Sequence, residues 1–487
     1  MYVGAPLRMN ESVAENNSYR KWLWVIVCVA MGLRVWLAWV NFEANDHHLP
    51  VVRVIVEQHR MPEKEELWEA FQPKLYHMTV AMVWKAGNLT SPEARIRAAN
   101  LINTAAGGAT LWIVWNFLLV MAAMSERARL FLFALVALNP QLVGINSQAV
   151  NDSFAILFSS AAIYFGLRYF REQKLQYVLA TSLGCALAML SKGNTLVTAI
   201  AVICGLSLLL LREVIRKQQV TKIAAHAAVF VVLFLGIVTA FGPYVDHYEK
   251  YGSPFVTNFQ PDPKPLWFEK THINHPGVRS IADAYFTFRF IDMLQHPHNT
   301  RWSWSYPEHR TSLWSQIYGQ TVSLHFASSP PSWHTDWKPL LWVDRALMVL
   351  ALPFALCFAV GFAQRFRDSV SGLINIKQAD LASIFLFITA FGYLVFLIVY
   401  TSRFREFSTM KAIFIYPAGL AFVFLAAGPL SRLLDDRNSW RGKTMRICAL
   451  LVLVLNVFDC GSLAAHLASP LTQQDSFENT FDLRHGG

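Results

Sequence analysis

Long apolar runs recur along this chain and constrain its fold more than any other feature of the sequence. A helix rises about 1.5 Å per residue, so about 20 apolar residues cross the roughly 30 Å hydrocarbon core of a bilayer. Hydrophobic residues make up 54% of the 487 residues and charged residues only 15%, which is too apolar for one water-soluble core. We therefore predict an all-α polytopic membrane protein. About eleven candidate spans begin near Trp22, Ala98, Leu130, Ser153, Tyr177, Thr195, Ala224, Leu340, Leu381, Ala412 and Ile447.

The distribution of Lys and Arg predicts the orientation of these spans. Basic residues concentrate in every second connection, and the positive-inside bias assigns those connections to the cytoplasm. The formal net charge of +10 is then mostly a topology signal, so we predict no nucleic-acid partner. The first apolar run, residues 22–40, is too long for the core of a signal peptide and is expected to be an uncleaved span. The predicted regions are a cytoplasmic N-terminus (1–21), an N-terminal transmembrane module (22–244) with an external loop (42–97), an external aromatic-rich region (245–339), a C-terminal transmembrane module (340–466) and an external tail (467–487).

Two acidic positions stand out on the predicted external side. Asp46 follows the first span closely, at a depth where a lipid headgroup must pass. Asn151 and Asp152 begin the fourth span on the same face. A loop aspartate is usually a turn residue, and Asp152 also suits a helix N-cap. Two carboxylates that converge on one interface can instead hold a nucleophile or a cation, or shift each other's pKa, so both are candidate catalytic residues.

Basic residues also occur on the external side, against the positive-inside bias. Lys192 interrupts two apolar runs, and Arg403, Arg405 and Lys411 lie in one short external connection. A lysine near a membrane boundary can simply extend its side chain to water. However, positive charge on the side of the membrane where it is disfavoured suggests a functional role, and Lys and Arg side chains both bind phosphate groups. We therefore predict a site for a lipid-borne phosphate.

Together these features resemble the GT-C class of integral-membrane glycosyltransferases, in the branch of the protein O-mannosyltransferases and the lipid A aminoarabinose transferase. In that branch an acidic pair, often Asp-Glu, opens the first external loop. His47 stands in place of the glutamate here, which leaves open whether a divalent cation takes part. The matching segments are Asp46-His47, Gln72-Pro73-Lys74-Leu75-Tyr76, Asn139-Pro140 with Asn151-Asp152, Lys192-Gly193 and Met410-Lys411.

The resemblance implies a GT-C fold with two external loop regions that contain interfacial helices. It implies transfer of a monosaccharide from a polyprenyl-phosphate carrier to a protein, lipid or glycan acceptor, with inversion at the anomeric carbon. Asp46 would be the general base, and Asp152, the second catalytic residue, would orient sugar or acceptor together with Gln72 and Tyr76. The short loops favour a bacterial inner membrane, with the site facing the periplasm. The implied substrate-binding residues are His47, Gln72, Lys74, Tyr76, Asn151, Lys192, Arg403, Arg405 and Lys411, of which Lys192, Arg403, Arg405 and Lys411 would bind the departing phosphate.

The external region 245–339 is rich in tryptophan and histidine. Its tryptophans suit anchoring at the membrane interface, and as a group they suit a lid over a sugar. Its histidines lack the spacing of a dedicated zinc site. His325, in the segment YGQTVSLHF, is a further candidate for substrate contact. The six cysteines lie within or at the ends of apolar runs and are expected to be buried small hydrophobes.

Two other functions compete with this hypothesis. An O-antigen ligase or polymerase would keep a basic phosphate site but depend on external arginines and a late-loop histidine, and not on Asp46. A transporter or flippase of lipid-linked sugars would place charges in the middle of its spans. Because the predicted spans carry few central charges, the transporter ranks last.

Overall fold

The computed structural model describes residues 17–44, 46–121, 124–256, 281–298, 308–326, 330–333, 337–403, 410–470 and 472, and the regular structure within them is helical. Short 3-10 helices cover Gly193–Thr195, Glu308–Thr311, Pro331–Trp333 and Ala412–Ala418. The α-helices are α1 (Asn17–Val40), α2 (His48–Glu57), α3 (Leu75–Ala86), α4 (Pro92–Val120), α5 (Glu126–Ala137), α6 (Pro140–Ile145), α7 (Asp152–Glu172), α8 (Leu175–Ser191), α9 (Leu196–Ile215), α10 (Val220–Val238), α11 (Gly242–Tyr251), α12 (Ile281–Tyr285), α13 (Phe290–Gln295), α14 (Leu313–Val322), α15 (Lys338–Leu350), α16 (Leu352–Ile374), α17 (Leu381–Arg403), α18 (Gly419–Asp435) and α19 (Trp440–Leu467).

Nine helical segments among the described residues are long and apolar enough to cross a membrane. Each contains one of the predicted span starts, so the prediction of an all-α polytopic membrane protein is confirmed. The segments are Tyr19–Val40, Pro92–Val120, Asp152–Glu172, Gly193–Ile215, Val220–Val238, Lys338–Ile374, Leu381–Ser402, Ala412–Asp435 and Trp440–Leu467.

The two other predicted spans, at Leu130 and Tyr177, are shorter helices. α5 has 12 residues and α8 has 17, or about 18 and 26 Å against a hydrocarbon core of about 30 Å. α5 ends before Pro140, because proline lacks an N–H and disfavours helical backbone in the residue before it. The side chain of Asn139 then caps α6 by accepting a hydrogen bond from the backbone N–H of Leu142 at 3.0 Å. The total of eleven crossings stays a prediction.

α8 runs back along α7 and returns to the level where α7 begins. Gly184 makes this close packing feasible, because a Cβ atom there would lie 2.9 Å from the backbone nitrogen of Ala162 in α7. Small residues allow membrane helices to approach in this way. The residue that follows α8 therefore lies beside the first residue of α7.

A buried arginine ties α1 to the segment that precedes α7. Arg34 is fully buried, and its guanidinium donates hydrogen bonds to the carbonyl oxygens of Ala30 (2.9 Å) and Ala137 (2.8 Å) and to Oδ1 of Asn146 (3.1 Å). A charged side chain inside a membrane protein is tolerated where protein groups satisfy its donors. Arg34 therefore has a role in packing α1 against the segment that precedes α7.

We expect Arg34→Met to lower the free energy of unfolding by about 3 kcal/mol, because the acceptors that it leaves in the core lose their donor. Thermal unfolding of the purified protein in detergent measures the effect. Arg367→Met is the matched control, since the Arg367 side chain is 82% exposed. An unchanged unfolding midpoint in Arg34→Met would contradict this account of the arginine.

The first loop, predicted to be external, folds as two helices, α2 and α3, packed on each other and on α4. Their shared core includes Val52, Val80 and Trp84, while Arg53 and Glu57 pair on the exposed side with a nitrogen–oxygen distance of 3.0 Å. This apolar and charged division agrees with the amphipathic pattern of the two segments. The loop residues between the helices come to lie over the start of α7.

Candidate active site

A buried ion pair joins the start of α7 to the end of α8. Nζ of Lys192 lies 2.7 Å from Oδ1 of Asp152, and the two residues are 7% and 1% exposed. The second carboxylate oxygen of Asp152 has no hydrogen-bond partner among the described residues. Buried charges need partners because desolvation is costly. The second oxygen of Asp152 can therefore accept a hydrogen bond from a ligand.

Residues 410–414 bring a second lysine to this pair from the C-terminal half. Gln320 of α14 holds the segment by accepting a hydrogen bond from the backbone N–H of Ala412 at 2.8 Å and donating one to the carbonyl of Met410 at 3.0 Å. The ring of Phe414 lies 5.7 Å from Nζ of Lys192. Lys411, in the same segment, is half-buried and close enough for its charge to act on Asp152.

The first external loop adds two carboxyl groups. Asp46 is half-buried and Glu69 is 5% exposed. Burial, reinforced by the charge of Asp46, raises the pKa of Glu69 to about 8, and the charges of Lys192, Asp152 and Lys411 act on the same carboxyl. Asp46, Glu69, Asp152, Lys192 and Lys411 therefore form one group, which we call the Lys192 cluster.

Two buried histidines lie behind Glu69. Nε2 of His48 is 4.0 Å from Oε2 of Glu69, and Nδ1 of His48 is 3.1 Å from Nε2 of His77. The ring of Tyr76 packs edge-on against His48, with centroids 5.8 Å apart, and against Phe154 of α7 at 5.5 Å. Tyr76 and the histidines thus support the loop over the start of α7.

The Lys192 cluster contains both basic and acidic side chains, which can play different chemical roles. Lys192 and Lys411 can attract an anion. Asp152 holds the ammonium group of Lys192, and Gln320 holds the backbone on either side of Lys411. Asp46 can accept a proton from a bound hydroxyl group. Among the described residues, no group of three or more His, Cys, Asp or Glu side chains is arranged to hold a metal ion.

The structure brings Asp46, Asp152, Lys192 and Lys411 together, and their catalytic and phosphate-binding roles stay predictions. His47 is exposed, and Gln72 and Lys74 are half-buried. Lys74 donates a hydrogen bond to the carbonyl of Ala70, and burial lowers the pKa of its ammonium to about 8. The substrate roles of His47, Gln72, Lys74 and Tyr76 stay predictions.

Asn151, Arg403 and Arg405 are also among the predicted site residues. Asn151 is buried and donates a hydrogen bond to the carbonyl of Ser191 at 3.1 Å, which joins α7 to α8 beside the ion pair. Arg403 is the last residue of α17, and Arg405 lies outside the described residues. Phosphate binding by Arg403 and Arg405 stays a prediction.

His325 lies in a second buried group of charges. Its Nε2 is 3.2 Å from Oδ1 of Asp459 in α19, and its ring centroid is 5.1 Å from that of His298, which pairs with Asp344 of α15. Burial acts to lower the pKa of His325, but Asp459 and Asp344 together outweigh it, so the pKa is raised. These pairs join the external region to α15 and α19. Its predicted substrate contact stays a prediction.

Sequence reasoning missed Glu69 altogether. Four glutamates lie between positions 63 and 69, and the sequence offers no signal that separates them. In the structure Glu63, Glu65 and Glu66 are exposed, whereas Glu69 is buried beside Asp46. Only the packing of the loop distinguishes the four.

Comparisons with known proteins bear on the fold. Residues 87–240 match the sequence profile of the family described as dolichyl-phosphate-mannose-protein mannosyltransferase. The oligosaccharyltransferase of Archaeoglobus fulgidus, solved with a tethered acceptor peptide, superposes with a TM-score of 0.50 at 12% identity over 94% of this chain and 56% of that chain. ArnT from Cupriavidus metallidurans, solved with bound undecaprenyl phosphate, gives a TM-score of 0.44 at 12% identity over 94% of this chain and 77% of that one. A comparison with curated protein sequences found no match.

The likeness to the oligosaccharyltransferase concerns the fold, and this chain spans little more than half of that protein's length. The profile match falls on α4 to α10, which include the helices that carry Asp152 and Lys192. The fold and the profile match agree with the resemblance seen in the sequence. The chain is an integral-membrane protein whose helical fold is similar to that of the GT-C oligosaccharyltransferase.

Proposed function

We propose that the protein transfers a monosaccharide from a polyprenyl-phosphate-linked donor to an acceptor on the external face of the membrane. The matched family is described by a dolichyl-phosphate-mannose donor, which supports a lipid-phosphate carrier. The observation that carries the proposal is the convergence of two lysines and a carboxylate base, Asp46, at one end of the helical bundle.

Lys192 and Lys411 form the phosphate end of the proposed site. When the bond between the anomeric carbon and the phosphate oxygen breaks, its electron pair stays with the phosphate, whose negative charge grows. The attraction of the two ammonium groups is then stronger in the transition state than in the bound donor, which accelerates the reaction. Asp152 keeps Lys192 charged and fixed in position through the 2.7 Å contact.

Asp46 forms the acceptor end. Its carboxylate takes the proton of the acceptor hydroxyl as the oxygen attacks the anomeric carbon, and positioned proton transfer of this kind contributes about 10²–10⁴-fold. Attack from the face opposite the departing phosphate, in a single displacement, inverts the configuration. The acceptor is a hydroxyl-bearing protein, lipid or glycan. We place the protein in a bacterial inner membrane with this site facing the periplasm.

The donor is tested with the full chain in nanodiscs and a panel of polyprenyl-phosphate monosaccharides, supplied with hydroxyl-bearing peptide, lipid and glycan acceptors. We expect mass spectrometry to detect free polyprenyl phosphate and a glycosylated acceptor with at least one donor. Intact donors with every acceptor class would overturn the proposal.

Lys411→Ala tests the phosphate end in the same assay. Because the lysine acts most strongly on the departing phosphate, we expect a lower kcat as well as weaker donor binding. Lys338→Ala is the matched control, since Lys338 is an exposed lysine at the start of α15. Equal rates in the two variants would remove Lys411 from the proposed site.

A further inference from the structure

Glu69 is a buried acid in the candidate active site whose neighbours do not neutralise it. Within 4.0 Å of its carboxyl, the described residues place one basic side chain, the imidazole of His48. Lys192, which also acts on Glu69, is engaged with Asp152 at 2.7 Å. The charged and titratable groups that face Glu69 are Asp46, His48, Lys74, Asp152, Lys192 and Lys411.

The histidines behind Glu69 cannot supply the missing positive charge. Burial, together with the charges of Lys192 and Lys74, lowers the pKa of His48 well below its ordinary value. Burial and His48 lower the pKa of His77 in the same way. Both imidazoles are therefore neutral at physiological pH. A second buried carboxylate beside Asp46 would then add repulsion that Lys192, already paired with Asp152, and Lys411 offset only in part.

We propose that Glu69 is the second carboxyl group of the catalytic centre, where it holds a proton beside the carboxylate of Asp46 and donates a hydrogen bond to an oxygen of the bound substrate. This inference rests on the proposed glycosyl transfer. The two carboxyls then divide the work: Asp46 accepts a proton, and Glu69 presents one.

The proposed reaction step balances without an additional reactant. The acceptor oxygen forms its bond to the anomeric carbon, the bond to the phosphate oxygen breaks with its electron pair, and the acceptor proton passes to Asp46. Glu69 keeps its proton throughout and acts as a hydrogen-bond donor. A neutral carboxylic acid is suited to this because, unlike a carboxylate, it carries a donor and adds no charge near the departing phosphate.

The protonated state predicts a specific pH dependence. Burial and Asp46 raise the pKa of Glu69 to about 8, so the acid form is present below that pH and is lost above it. Activity that depends on the proton of Glu69 should fall as pH rises through about 8. Lys74 also loses its charge near that pH, so a measurement that reports carboxyl groups alone is required.

Infrared difference spectroscopy of the full chain in nanodiscs provides that measurement without turnover. We expect the carbonyl band of a protonated carboxyl group at pH 7, its loss as pH is raised to 9, and its absence in Glu69→Gln. Glu65→Gln is the matched control, because Glu65 lies in the same loop but is exposed. A wild-type band that Glu69→Gln leaves unchanged would overturn the inference.

The pairing with Asp46 has its own test. Removal of the negative charge in Asp46→Asn should move the loss of the Glu69 band to lower pH, because that charge helps to retain the proton. A glutamate with a purely structural role elsewhere in the loop would not respond. An unmoved titration would separate Glu69 from Asp46 and overturn the pair.

Turnover with a donor from the panel tests the hydrogen bond to substrate. Glu69→Gln keeps a donor and should lose the part of the alkaline limb that belongs to Glu69, while Glu69→Ala should reduce kcat/KM by about tenfold. Equal activity of Glu69→Ala and wild type would overturn the catalytic role. A band that behaves as expected in a protein that cleaves no donor would contradict the proposed function and leave the carboxyl pair standing.

Discussion

Asp46→Asn should abolish release of polyprenyl phosphate while the donor still binds. The amide has nearly the shape of the carboxylate but cannot accept the acceptor proton, so we expect a loss of about 10²–10⁴-fold in kcat. Donor binding should change little, because the phosphate end of the site is built from Lys192 and Lys411. The donor panel in nanodiscs measures release, and equilibrium binding of undecaprenyl phosphate measures the lipid site.

Asp246→Asn is the control for Asp46→Asn, since Asp246 is an exposed aspartate on α11. The same change of charge should there leave both release and binding unaltered. Release that survives Asp46→Asn would remove Asp46 as the base. It would instead favour an enzyme of the O-antigen ligase type, which relies on arginines and a histidine outside the first loop.

Much of the fold could be predicted because hydrocarbon imposes a simple rule. A segment that crosses it needs about 20 apolar residues, and nine segments of the described chain satisfy that rule. α5 and α8 do not satisfy it, because they have only 12 and 17 residues. The contact between Lys192 and Asp152, and not hydropathy, shows that α8 returns alongside α7.

The candidate site was predictable where residues stand at helix ends. Asp152 and Lys192 lie at the ends of α7 and α8, so the membrane face that they share follows from the alternation of spans. Lys411 lies just before the 3-10 helix that leads into α18, so the alternation of spans also predicts its membrane face. The alternation of spans places them on one membrane face, whereas the 2.7 Å contact of Lys192 with Asp152 and the position of Lys411 depend on tertiary packing.

The rest of the site depends on tertiary packing, which leaves no periodic signal. Glu69 is buried only because α2 and α3 fold over the start of α7, and three nearby glutamates of the same loop stay exposed. The same holds for His325. Asp459 of α19 lies more than a hundred residues further along the chain, and Asp344 of α15 about twenty residues further. Residues that meet through long-range contacts cannot be assigned from one sequence.

Lys192→Met should have a large effect on both stability and activity. The substitution leaves the buried carboxylate of Asp152 without its partner, which we expect to lower the free energy of unfolding by about 3–5 kcal/mol. It also removes one of the two cations at the phosphate end, so release of lipid phosphate should be lost. Thermal unfolding in detergent and the donor assay measure the two effects.

The double variant Lys192→Met with Asp152→Leu separates stability from function. Replacement of a buried ion pair by apolar side chains of similar volume is often neutral or stabilising, so the double variant should regain most of the stability lost in Lys192→Met. It should not regain activity, because an apolar pair attracts no phosphate. Full release of lipid phosphate by the double variant would mean that the pair serves only to hold α7 against α8, and the phosphate site would then have to be sought elsewhere in the molecule.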